Sequence, residues 1–204
     1  AKRVWFSRGI HHHYGNEKFF PECSQDAFAK FISNVDAAKL PLNTGESVKD
    51  FTARLLPLVY DPKIAPKKVS LDATKDLITN SAVNFYEGVN QKEAIEFYEK
   101  LTDKNDKTPV MIGLNSKLVK ENGVIVEKVW KVGGMYTKAI EKIVYWLEKA
   151  ITVAENDAQK TALQKLVVYY RSGSLKDFDE YSIAWVKDTE SAIDVVNGFI
   201  EVYE

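Results

Sequence analysis

The chain has 204 residues, of which 45% are hydrophobic and 28% charged, a composition that excludes disorder and can bury a sizeable core as one domain or two small ones. Its 28 basic and 29 acidic side chains are interspersed and leave a net charge of -1, which excludes the basic footprint of a nucleic-acid or anionic-membrane binder and points to small ligands or peptides. Cys23 is the single cysteine, so no disulfide can close within the chain and a reducing, cytoplasmic setting is expected.

No apolar run approaches the length of a membrane span, and no signal-peptide pattern begins at Ala1. The chain starts without Met and stops abruptly at Glu204, and the expectation is that both ends are cut from a larger protein. Residues 1–14 read AKRVWFSRGIHHHY and hold all three histidines. A consecutive triplet is poor metal-site spacing: on a helix, i and i+4 share a face, and on a strand only His11 and His13 point the same way. A packed or hydrogen-bonded cluster is the better reading of His11, His12 and His13.

Ser24 is a good N-cap, and Phe28, Phe31, Ile32 and Val35 follow at i, i+3, i+4 and i+7, which predicts an amphipathic helix. Ser47 and Asp50 are spaced like a capping box and open a second helix, with Val48, Phe51 and Leu55 on one stripe and Pro57 expected to kink or end it. Residues 61–68, with Pro62 and Pro66, read as an extended linker. Residues 72–89 mix helix formers with Asn80, Ser81 and Asn84 and are read as helix. Asn90 with Glu93 caps a clearer helix through Leu101, with Ala94, Ile95, Tyr98 and Leu101 inward.

After the polar tract TDKNDKTP the period changes. Residues 114–120 and 124–130 flank Asn122-Gly123, the strongest short hairpin signal, because both central turn residues must reach positive φ. Gly133-Gly134 breaks the second strand, and the pair lacks any dinucleotide or P-loop pattern. Thr137 is expected to cap a long helix whose Ile140, Ile143, Val144, Leu147 and Ile151 form one apolar stripe. Asn156 with Gln159 starts another, with Leu163, Leu166, Val167 and Tyr170 inward and Gly173 at its end; Ser174 with Asp177 starts the last. Short breaks between these three predict antiparallel neighbours in a small bundle.

The chain closes with VNGFIEVYE. A strand period of two places Asn197, Phe199, Glu201 and Tyr203 on one face and Val196, Gly198, Ile200 and Val202 on the other. A carboxylate and a phenol two residues apart suit a solvated sheet face or the wall of a site. Elsewhere the search for chemistry is negative: there is no H-E-x-x-H, no Cys/His cluster and no G-x-S-x-G elbow. The residues alone describe an α+β chain, predominantly helical, with a β-hairpin and a C-terminal strand.

N-G-F-I-E-V-Y, preceded by D-F-D-E-Y-S-I-A-W-V-K-D-T, closely resembles the corresponding stretch of the dipeptidyl peptidase III family of zinc-dependent exopeptidases. The resemblance extends to H-H-H-Y at the start, N-F-Y-E-G-V at 84–89, K-V-G-G-M-Y at 131–136 and I-V-Y-W-L-E-K-A at 143–150, and its opening residues look like the bacterial branch, which argues against an affinity tag. It implies a two-lobed parent whose zinc is held by an H-E-x-x-x-H helix and an E-E-x-R-A-E helix, neither of which is present here. Residues 1–204 would then be a single fragment of the non-zinc lobe, built on a β-barrel core with helices, inactive alone and needing no cofactor of its own. The implied roles are Glu201 anchoring the free amino terminus of an oligopeptide substrate, Asn197 in substrate binding, and Tyr203 as the catalytic hydrogen-bond donor to the scissile carbonyl or its oxyanion. The implied partners are the substrate and the remaining lobe, in a monomer. A non-catalytic peptide-binding or structural domain, or a fusion with another hydrolase domain, stays open beside this reading.

Overall fold

The computed structural model describes residues 9–12 and 16–197. Among them are six α-helices and one three-stranded sheet, so the chain is α+β and mostly helical. It divides into two compact units, Ala1–Val83 and Asn84–Glu204. No helix among the described residues is long and apolar enough to cross a membrane.

The first unit is built on α1 (Gln25–Ser33) and α2 (Val48–Tyr60). Both starts follow the expected chemistry: the Ser24 and Ser47 hydroxyls accept the free amides of Ala27 and Asp50. The core comes from Ile32, Phe51 and Val59, with Phe28 set edge-on to Tyr60 at 5.8 Å. Phe31, expected inward, is 69% exposed. Pro57 does not end α2. The helix runs on to Tyr60, because Pro57 removes one donor while its own carbonyl still accepts the Asp61 amide at 2.9 Å and closes the last turn. Beyond it, the buried Lys18 ammonium donates to the Asp61 and Ile64 carbonyls at 2.7 Å each, placing a cation where the helix C-terminus is negative.

Residues 72–89 are not a helix. The Asp72 carboxylate takes the Thr74 amide, Asp76 takes the amides of Ile78 and Thr79, and the Asn80 amide donates back to the Asp76 carbonyl. Short polar side chains thus satisfy the backbone locally, which turns the chain repeatedly instead of letting a helical ladder propagate. The stretch ends in β1 (Tyr86–Glu87), which pairs in parallel with residues 118 and 119 of a later strand.

The second unit begins there. Next comes α3 (Gln91–Leu101), with the full reciprocal capping box of Asn90 and Glu93. Ala94 is buried, while Ile95 and Leu101, expected inward, are about half exposed at 49% and 54%. β2 (Ser116–Glu121) and β3 (Val124–Val129) pair antiparallel with Glu121 opposite Val124. The two-residue turn is the one expected, with φ of 51° at Asn122 and 82° at Gly123. Leu118 and Val119 on the central strand are buried. Lys120 of β2 pairs with Glu93, and the Tyr98 hydroxyl reaches Glu127, so α3 is tied to the sheet.

Three helices complete the unit: α4 (Thr137–Ile151), α5 (Asp157–Ser172) and α6 (Leu175–Val186). Their core joins Ile140 and Val144 of α4, Leu166, Val167, Tyr169 and Tyr170 of α5, and Tyr181 of α6. The Asn156 and Ser174 caps are formed as expected. Thr137 is not the cap of α4: that place belongs to Tyr136, held at φ 60° in the left-handed region, and the Thr137 hydroxyl instead accepts the Gly133 amide at 2.8 Å. The expected single stripe on α4 also divides. Ile140 and Val144 are buried and Leu147 and Ile151 half-buried against the core, but Ile143 is 42% exposed on an outer face. Gly173 ends α5 at φ 70°, and a Cβ there would lie 2.7 Å from Val129 Cγ1, so both the turn and the approach of β3 need glycine. The expected C-terminal strand lies outside the described residues, apart from its first residue, Asn197.

Candidate functional site

The residues expected to touch substrate come at the end of a strap, residues 187–197, that leaves α6 and is tied at Ser191, Ala192, Ile193, Asp194 and Asn197 to the helices and to the loop between α4 and α5. Asp188 accepts the Ser191 hydroxyl at 2.6 Å and its amide at 3.3 Å, closing a tight loop, and the Ser191 hydroxyl beside it holds the carboxyl below the usual aspartate range. Asn156 works twice. Its side-chain oxygen caps α5 by accepting the Gln159 amide, and its nitrogen donates to the Ser191 hydroxyl at 2.9 Å. Gln159 in turn donates to the Ile193 carbonyl at 2.8 Å.

Glu155 makes a two-pronged link. Its two oxygens accept the backbone amides of Ala192 and Ile193, each at 2.9 Å, and these two amides hold its carboxyl below the ordinary glutamate value. Further on, the Trp185 indole donates to Asp194 at 2.7 Å. Tyr170, a core residue of α5, directs its hydroxyl to the Asn197 side-chain oxygen at 2.5 Å. Burial pushes the Tyr170 phenol up, so it stays protonated and able to donate. A hollow of about 320 Å³ lies between the strap, α4 and α5, bounded by Leu147, Ala150, Leu163, Trp185 and Val195 among others.

Because a depressed carboxyl stabilises the folded form only while ionised, the Glu155 link is at full strength above the ordinary glutamate value of 4.5 and is lost as pH falls through the lower value it has in the fold. The amide resonances of Ala192 and Ile193 should therefore titrate together below pH 4.5, and Glu155→Gln should abolish that titration. Amides that titrate identically in the Gln variant would remove Glu155 as the holding group.

Of the three residues assigned to substrate or catalysis, Asn197 is described and Glu201 and Tyr203 are outside the described residues. Asn197 has its oxygen engaged by Tyr170, while its buried side-chain nitrogen has no hydrogen-bond partner among the described residues. Of the histidines, His13 is outside them. The buried His11 places Nε2 2.8 Å from the Ala65 carbonyl, and His12 packs edge-on to Phe19 at 5.5 Å. The His11 Nε2 that faces the Ala65 carbonyl carries the proton, which leaves Nδ1 as the only ring nitrogen of His11 with a lone pair. No group of three or more His, Cys, Asp or Glu that could hold a metal ion occurs among the described residues. These residues do not fit a zinc centre, and no chemical step is assigned to a metal held by them.

The groups that hold the strap were not legible as such in the sequence. Asn156 and Gln159 are visible there as a helix start, but their strap partners lie 32 to 35 residues away. Glu155 has no local signal.

An α+β chain with a strap at residues 187–197 anchored to its helices defines a class rather than an activity. The model of Peptidase family M49 matches residues 65–204, more than half of the chain, and the chain belongs to that family. It is also 24% identical over 226 aligned positions to dipeptidyl peptidase 3 of Dictyostelium discoideum, a match that takes in 100% of this chain and 30% of that protein. The chain thus spans less than a third of the length of that curated relative.

Proposed function

We propose that residues 1–204 are part of a zinc-dependent peptidase that releases dipeptides from the amino terminus of oligopeptides, and that they supply substrate-binding and oxyanion-stabilising groups while the metal is held by residues outside them. The observation that carries this reading is the family match, which runs through N-G-F-I-E-V-Y, the motif into which the anchored strap leads. An exopeptidase that counts residues from a free amine needs an anion at a set distance from the scissile bond, and Glu201 fills that role by a charge-assisted hydrogen bond to the ammonium. Asn197 is assigned beside it as a second binding group; its oxygen is taken by Tyr170, and its buried nitrogen has no partner among the described residues. Tyr203 donates to the oxygen on which charge develops.

The test is hydrolysis of a dipeptide arylamide by the longer parent protein and by residues 1–204 alone, with cleavage by the parent only. Within the parent, Glu201→Ala should raise KM for substrates with a free amino terminus roughly tenfold or more, as expected for a binding interaction made in ground and transition states alike. An amino-terminally blocked substrate should be insensitive to the change. Equal KM for wild type and variant would withdraw the amine-anchoring role of Glu201.

A further inference from the structure

The core stripe of α4 has a second apolar stripe beside it. Ala139, Ile143, Trp146 and Ala150 recur at steps of four and three, the a/d spacing of a helix seam, and Tyr136 and Val153 flank the helix at its two ends. The large ones face solvent: Tyr136 is 51% exposed, Trp146 69% and Val153 78%. Each end of the stripe opens into a hollow. Ala139 and Ile143 help to line one of about 380 Å³ with Phe85 and Trp130, and Ala150 and Val153 help to line the 320 Å³ hollow beneath the strap. At 1.5 Å per residue the two are about 15 Å apart along α4, which a partner helix would span with side chains roughly three turns apart.

Charge selects the occupant. On the side of the stripe away from the core stand Lys138, Lys142 and Lys149, all exposed and none in an ion pair among the described residues; Lys149 lies over the Tyr145 ring at 5.5 Å. The carboxylates at the other edge are already engaged, Glu155 by backbone amides, Asp188 by Ser191 and Asp194 by Trp185. An antiparallel twofold pair of copies would set lysines against lysines, so the stripe disfavours self-association.

We propose that the outer face of α4 seats an amphipathic helix whose apolar side chains enter the two hollows and whose edge carboxylates meet Lys142 and Lys149. That helix is supplied by the part of the parent protein outside residues 1–204, a source that rests on the proposed function and on a relative of which this chain covers 30%. The face is then an internal seam of the parent.

The test is site-resolved maleimide labelling of the parent carrying Trp146→Cys, read by mass spectrometry against the same site in guanidinium-unfolded protein, with Lys160→Cys as an exposed-helix standard. Position 146 should label at least tenfold more slowly than position 160, and Lys142→Glu with Lys149→Glu should speed it at least threefold. Equal labelling at 146 and 160 overturns the seam, and labelling indifferent to the double charge reversal overturns the acidic edge. A concentration-dependent dimer of residues 1–204 that Ile143→Glu abolishes would make a second copy the occupant and likewise overturn the proposal. Labelling does not depend on peptide cleavage, so a protected position 146 in a parent that releases no dipeptides leaves the seam standing and removes only the functional reading.

Discussion

Truncating Leu166 to Ala is expected to cost about 2 to 5 kcal/mol of folding stability, the range for a large buried aliphatic replaced by a methyl group. Leu166 is 1% exposed at the centre of the cluster that joins α4, α5 and α6, among Ile140, Val144, Tyr169, Tyr170 and Tyr181. The cavity would be walled by aromatic rings on two helices, which cannot collapse into it without breaking their own contacts, and this places the cost toward the upper part of the range. In a domain of this size the loss should lower the melting temperature by roughly 10 °C. Leu147, half-buried at the edge of the same cluster, should lose less, and the exposed Lys160→Ala should stay within about 0.5 kcal/mol. Equal melting temperatures for Leu166→Ala and Lys160→Ala would show that the three helices do not share this core.

Where the sequence was read correctly, the deciding physics was local. Ser24, Ser47, Asn90, Asn156 and Ser174 each accept the amide three residues ahead, a bond made within one turn, and all five caps form. Asn122-Gly123 is the same kind of signal, since only the turn's own dihedrals are involved. The turns of residues 72–89 have a local cause as well: Asp72 and Asp76 compete for the backbone, and a tally of helix formers does not weigh that competition. The misplacement of Ile143 is of another kind. Two apolar stripes share α4, and spacing alone does not say which one meets α5.

The candidate site was legible as a motif and not as an arrangement. A strand period and a family resemblance single out Asn197, Glu201 and Tyr203, and neither says what holds the chain before them. The strap that precedes the motif is held by contacts between residues far apart in the chain: Glu155 with Ala192 and Ile193, Tyr170 with Asn197. Tyr170 is instructive. Its spacing marks it as a core residue of α5, which it is, and its hydroxyl also fixes the last described residue of the strap. A side chain with an apolar body and a polar tip serves both ends, and periodicity registers only the body.

The largest functional effect is expected at Tyr203. In the parent protein, Tyr203→Phe keeps the ring and removes only the hydroxyl, so packing is retained while the hydrogen bond to the developing oxyanion is lost. Removal of one such donor lowers kcat by about 10² to 10³, or roughly 3 to 4 kcal/mol, with KM little changed, because the bond is made chiefly in the transition state. Glu201→Ala should produce the reverse pattern, a raised KM with a smaller change in kcat, since the ammonium is held before and during reaction. The two variants together separate anchoring from stabilisation on residues only two positions apart. Loosening the strap supplies a third, distinct pattern: Glu155→Gln should lower kcat modestly through imprecise delivery of the motif, and should remove any acid-side dependence that arises from Glu155 ionisation. Tyr203→Phe at wild-type kcat would return Tyr203 to a packing role and leave the oxyanion to groups elsewhere in the parent.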